Sequence, residues 1–141
     1  MTLTGTLLAF DFGGKRIGVA VGQTITKTAT PLTTLSIVDH RPDWDALDKI
    51  IKEWQPIALV VGMPRNMDDT EHALAPRVNR FGKQLQRRYH LDVHYVDERL
   101  SSLAAEENIR ESGMSKRRRM DKGTVDQYAA QVILEQFLGA Q

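Results

Sequence analysis

The stretch LLAFDFGGKRIGVAVG, Leu7 to Gly22, constrains the fold more than any other part of the chain. Leu7, Leu8, Ala9 and Phe10 form an unbroken apolar run, the mark of a strand covered on both faces. Gly13 and Gly14 follow, and glycine supplies the positive φ that lets a chain double straight back. On the return, Ile17, Val19 and Val21 share one face, and Gly18, Ala20 and Gly22 the other. Such a small-residue face admits a helix or a ligand backbone at short range. Asp11 stands near the end of the first strand, where a carboxylate is costly to desolvate unless something positive meets it. The residues leave three roles open for it: a salt-bridged acid in a hairpin, part of a phosphate cradle, or a metal ligand. The cradle fits poorly. Val19-Ala20 stand where a Walker loop needs Lys-Ser/Thr, and a strand follows where a dinucleotide fingerprint needs a helix.

At 141 residues the chain is expected to form one domain, residues 1–141, with a substantial core. Its 19 basic and 18 acidic side chains nearly cancel, so bulk charge does not announce a nucleic-acid partner. The absence of cysteine excludes a disulfide framework and a thiolate metal site, and suits a reducing compartment. No leader pattern or run of membrane-spanning length stands in the sequence, so a soluble, cytoplasmic protein is expected.

Thr28 to Leu35 is β-branched and reads as a third strand, with Pro31 favouring a sheet edge. Val38 to Arg41 reads as a loop, and a helix follows with Pro42 in its first turn. Trp44, Leu47, Ile51 and Trp54 mark that helix's buried stripe, a spacing that favours core packing of the tryptophans over base stacking. Pro56 closes it. Ile57 to Val61 is a short apolar strand, and Asp68 to Glu71 is placed like a capping box for a second helix with stripe Leu74, Val78, Phe81 and Leu85. Pro76 either kinks that helix or marks a later start. Its arginines and lysine read as a solvated face. Asp92 to Glu98 is another strand, ending in two adjacent carboxylates. A helix from Ser101 or Ser102 to about Ser112 follows, then a basic loop from Ser115 to Gly123, then a final amphipathic helix from Thr124 to Leu138. Three antiparallel strands followed by α/β crossovers make a mixed sheet with helices on both faces.

The final helix carries the sharpest clue. At about 100° per residue, Ala129, Ala130, Ile133 and Phe137 fall within about 60° of Asp126, so this acid lies on the buried stripe. Either it bonds backbone amides at a helix start, or it is paired with something else. Asp11, the Asp97-Glu98 pair and Asp126 suggest a convergence. If the first and last strands were parallel neighbours, their acids would share the sheet edge where open α/β sheets place ligands. Converging carboxylates need a cation, and an all-oxygen set favours Mg²⁺ or Mn²⁺ over zinc. Strand alternation puts Asp97 and Glu98 on opposite faces, so only one is easily a direct ligand. His90 and His94 lack the glutamate of a zinc-protease motif and lead into a strand.

Four segments carry a family resemblance: AFDFGGKRIGVAVG, VVGMPRNMDDTE, VDERLSSLAAE and KGTVDQYAAQVIL. Over nearly its whole length the chain resembles the YqgF (RuvX-like) proteins of the RNase H-like superfamily. Those proteins have been assigned to pre-16S rRNA processing and, earlier, to Holliday junction resolution. The resemblance implies an RNase H-like α/β fold, with a five-stranded mixed sheet in which the first and fourth strands lie side by side. It also implies that Asp11, Glu98 and Asp126 are the catalytic acids and metal ligands for Mg²⁺ or Mn²⁺, with Asp97 a supporting or alternative acid. Lys15, Arg16, Arg65 and Arg99 match basic positions suited to phosphate contacts. Lys116, Arg117, Arg118 and Arg119, just before the last helix, are placed to act as a nucleic-acid clamp.

The implied activity is two-metal-ion hydrolysis of structured nucleic acid, at the 5′ end of precursor 16S rRNA. The implied partners are RNA and the pre-ribosomal particle, with branched DNA as the alternative and no membrane, in a monomer or weak homodimer. Two departures from the family pattern bear on substrate affinity: Gly14 stands where threonine is common, and Asp69 where glycine is common. Other classes are a non-catalytic ribosome-assembly factor and one lobe of a phosphate-binding kinase or ATPase, since DFGGKRIG also looks like the first phosphate loop of that fold.

Overall fold

The computed structural model describes residues 4–64, 72–97 and 122–141. In chain order the described elements are β1 (Thr6–Phe12), β2 (Arg16–Gln23), β3 (Thr28–Val38), β4 (Arg41–Pro42), α1 (Trp44–Trp54), β5 (Ala58–Met63), α2 (Ala75–Tyr89), β6 (Val93–Asp97) and α3 (Lys122–Gly139). The strands form one sheet in the order β4-β3-β2-β1-β5-β6. β1 runs antiparallel to β2 and parallel to β5, and β5 runs parallel to β6. The first and fourth long strands are therefore side by side, as the family resemblance implied.

Alternation along β1 and β2 assigns the two faces. Leu8, Phe10 and Phe12 with Ile17, Val19 and Val21 build the larger core under α1 and α2, where Leu47, Val78, Phe81 and Leu85 meet them. Leu7, Ala9 and Ala20 face the other way and pack with Ala130, Ile133, Leu134 and Leu138 of α3. The central strands are buried on both sides because helices cover both. Trp44 stacks near Phe81 at 5.9 Å between ring centroids, in the core as its spacing predicted.

Four local readings change, and the choice left open at Pro76 is decided for a later helix start. The sheet has six strands, not five, because the expected loop Val38-Asp39-His40-Arg41 is a two-residue hairpin. Asp39 and His40 both take positive φ, 51° and 64°, the pattern of a tight turn whose twist matches its strands. Pro42 belongs to β4, and the α1 cap is Asp43, whose side chain accepts from the Ala46 N–H at 3.1 Å. Of the two turn glycines only Gly14 uses positive φ, 89°, while the Gly13 N–H bonds the Arg16 carbonyl at 2.8 Å. β1 and β6 are parallel but not neighbours. β5 lies between them, which sets them two strand spacings apart, about 9.5 Å. Finally, α2 begins at Ala75 with Pro76 in its first turn, where a missing N–H costs nothing. The expected capping box and the helix after Ser101 lie outside the described residues.

Pro31 also finds a physical place. The β2–β3 register slips by one residue, with Val19 opposite Thr33 but Ala20 opposite Pro31. A bulge tolerates the missing donor.

Candidate active site

Asp11, next to last in β1, lies directly across from Gly18 of β2. It shares the α3 face of the sheet with Gly18, Ala20 and Gly22. A Cβ built on Gly18 would overlap the backbone carbonyl of Asp126, so helix α3 touches the sheet there. This is the close approach that the small-residue face of β2 predicted. It brings Asp11 and Asp126 to the same place, over a residue with no side chain.

Polar anchors hold the start of α3 in that position. The Thr34 hydroxyl donates to the Gly123 carbonyl at 2.6 Å, and Gln127 Nε2 donates to Thr34 Oγ1 at 3.1 Å. One turn on, Gln131 Nε2 donates to the Ala29 carbonyl at 3.0 Å. Gln127 and Gln131 are four apart, the spacing of one helix face, and that spacing was a readable signal which the sequence reading passed over.

The Asp126 carboxylate is largely buried, 16% exposed, and its Oδ2 accepts from Arg16 Nε at 2.8 Å. Arg16 opens β2, so the turn after Asp11 delivers its cation to the other acid. Removing one partner of such a half-desolvated pair is costly because the remaining charge stays buried. Lys15 sits exposed at the tip of the same turn, and its carbonyl accepts from the Ile37 N–H.

The structure separates Asp97 from these acids. Val96 packs into the α3-side core, whereas the Tyr95 hydroxyl reaches Gly82 of α2. Asp97 alternates with Tyr95, so it falls on the α2 face, opposite to Asp11. Glu98, Arg65, Arg99, Lys116, Arg117, Arg118 and Arg119 lie outside the described residues, as does Asp69. Among the described residues no group of three metal-binding side chains forms, and Asp11 and Asp126 are the two acids brought together. The histidine pair resolves into separate structural roles. His90 ends α2 in a left-handed cap, and the His94 ring packs on Phe137 at 5.0 Å.

One cation near this edge escaped the sequence reading. Arg77 of α2 donates from Nη2 to the Gly14 carbonyl at 3.2 Å and lies over the Phe12 ring at 5.3 Å. The sequence showed only a charged helix face, and which arginine turns back over the sheet depends on where the helix docks.

The mixed sheet in the order β4-β3-β2-β1-β5-β6, covered by helices on both faces, is an RNase H-like fold. Fowlpox virus resolvase, solved with Holliday junction DNA, matches with a TM-score of 0.57 at 9% identity, over 96% of this chain and 97% of that one. T. thermophilus RuvC, solved with a Holliday junction substrate, matches with a TM-score of 0.55 at 15% identity, over 96% and 94%. At such identities the likeness is one of fold. The chain belongs to the RuvX family, whose model, described as "RuvX: Holliday junction resolvase", matches residues 5–140. Curated relatives from Escherichia coli (strain SE11) and Enterobacter sp. (strain 638) are each 47% identical over 135 residues, 96% of both chains, and carry the name "Putative pre-16S rRNA nuclease".

Proposed function

We propose that this protein is a divalent-metal-dependent nuclease of structured nucleic acid that processes the 5′ end of precursor 16S rRNA in the cytoplasm. The observation that carries the reading is the meeting of Asp11 and Asp126 over Gly18. The names of its near relatives support the substrate.

The residues fit a hard cation. Both acids offer carboxylate oxygens, and Asp126 already draws the Arg16 guanidinium to one of them. Asp11, Asp126 and Glu98 would hold Mg²⁺ or Mn²⁺, Glu98 being preferred to Asp97 because Asp97 lies on the α2 face. Bound there, two such ions would neutralise the acids and supply the Lewis acidity that phosphodiester hydrolysis requires. The chain's own residues do the positioning. Arg16 fixes the orientation of the Asp126 carboxylate through Oδ2, and the Thr34–Gln127 anchors fix the helix that carries it. Lys15 and Arg16, with Arg65, Arg99 and Lys116 to Arg119, would meet substrate phosphates and so set its register without reading sequence.

The second reading is cleavage of a four-way DNA junction, favoured by the family model's description. Symmetric junction cutting needs two sites and therefore a dimer. One experiment separates the two. Wild type, Asp11→Asn and Asp126→Asn are given a labelled precursor leader, an RNA hairpin, a four-way DNA junction and single strands, with Mg²⁺ or Mn²⁺. Cleavage of the leader at a defined position, lost in both variants, is the expected result. Junction cleavage by a dimer would promote the second reading. No cleavage of any substrate by metal-loaded wild type would overturn both.

A further inference from the structure

On the face of the sheet opposite the acids, a cavity of about 350 Å³ opens between the end of β1, the β3–β4 hairpin and α2. Phe12 and Phe81 form its floor, and His40, Arg77, Arg80 and Gln84 line it. Among the described residues no carboxylate lines it.

The charges there are unbalanced. Two other described arginines meet acids: Arg16 bonds Asp126 and Arg88 bonds Asp48. Arg77 instead spends its contacts on a neutral carbonyl and a ring face, and among the described residues neither it nor Arg80 has a carboxylate partner. The two are three residues apart on α2, a spacing at which like charges repel by a few tenths of a kcal/mol. His40 is brought opposite them by the positive-φ turn of the hairpin. Two guanidinium groups, an imidazole and the Gln84 amide around one concave space, with no acid among the described lining residues, are the chemistry of an oxyanion site.

Its position says which anion. Phe12, in the floor, follows Asp11 directly in β1, and Arg77 holds the carbonyl of Gly14 in the turn beside Arg16. The cavity and the acids are thus the two sides of one strand end. We propose that His40, Arg77 and Arg80 form a second phosphate-binding subsite that holds the polynucleotide backbone next to the cleaved segment. This inference rests on the nuclease reading above. The subsite neutralises backbone charge and carries no base specificity.

The test is the salt dependence of binding. A fluorescently labelled RNA hairpin is titrated with wild type, Arg80→Gln and Arg87→Gln in EDTA, over a series of KCl concentrations. Arg80 is chosen because Arg77 also packs on Phe12, and thermal melting confirms that each variant is folded. Losing one phosphate contact lowers the slope of log K against log salt by about 0.7–0.9, with affinity falling on the order of threefold to tenfold. The expected result is that loss for Arg80→Gln and a wild-type slope for Arg87→Gln, whose side chain lies outside the cavity. An unchanged slope in Arg80→Gln overturns the subsite while leaving the nuclease reading intact. Equal losses in both variants overturn it in favour of diffuse attraction along α2. A wild type that binds no hairpin and cleaves nothing overturns the nuclease reading itself.

Discussion

Gly18 lies directly beneath Asp126, so close that a single added methyl would overlap the aspartate's backbone carbonyl. Because Gly18 is also the cross-strand partner of Asp11, one missing side chain lets the two acids share a site.

Gly18→Ala is therefore expected to push the start of α3 off the sheet. Overpacking of this kind typically costs about 1–3 kcal/mol. Cleavage should fall further than stability does, since the displaced residue is Asp126. Gly22→Ala is the control. Its Cβ would come within 2.7 Å of Leu134 and of the Thr28 carbonyl, which should lower the melting temperature with the acids left in place. Melting curves and cleavage rates measured side by side check the distinction.

Arg16→Gln withdraws a cation from a largely buried carboxylate. The metal-free protein should lose about 1–3 kcal/mol, within the range for breaking a partly desolvated pair. Because a bound ion stabilises by mass action, Mn²⁺ should raise the melting temperature of Arg16→Gln more than that of wild type, and EDTA should abolish the gain. Equal shifts in both proteins would show that Arg16 and the metal act at independent places.

Asp48 gives a pH signature remote from the site. Its carboxylate accepts from Arg88 Nε at 2.8 Å, Arg88 Nη2 at 2.7 Å and the Tyr89 hydroxyl at 2.6 Å. The Arg88 bonds first, then Tyr89, hold it down at about 2. A depressed acid contributes stability above its unfolded value and loses it as pH falls toward the folded one. The stability gap between wild type and Asp48→Asn should thus be full above about pH 4 and close between about pH 4 and pH 2. The pair is well exposed, so added salt should narrow the gap as well. Denaturant titrations across that pH range measure it.

Phe81 is the hinge of the larger core, with ring centroids 5.7 Å from Phe10, 5.3 Å from Phe12 and 5.9 Å from Trp44. Phe81→Ala should cost about 3–5 kcal/mol, the range for emptying a buried aromatic position. Urea unfolding gives the number directly, and a loss below about 1 kcal/mol would mean that α2 does not hold this face.

What the sequence determined by itself is what short-range chemistry encodes. The apolar run Leu7 to Phe10 reads as a strand buried on both faces, and the Gly18, Ala20, Gly22 face as one that admits a close neighbour. The burial of Asp126 was legible from helical periodicity alone. Tertiary structure decided the partners. That Arg16 would close on Asp126, 110 residues away, depends on α3 crossing β2 at one residue. That Asp97 would turn toward α2, and that β5 would stand between β1 and β6, depends on strand order and register, which no local pattern specifies. The Arg77 cavity belongs to the same class. A charged helix face looks alike along its length, and only docking selects the cations that meet the sheet edge.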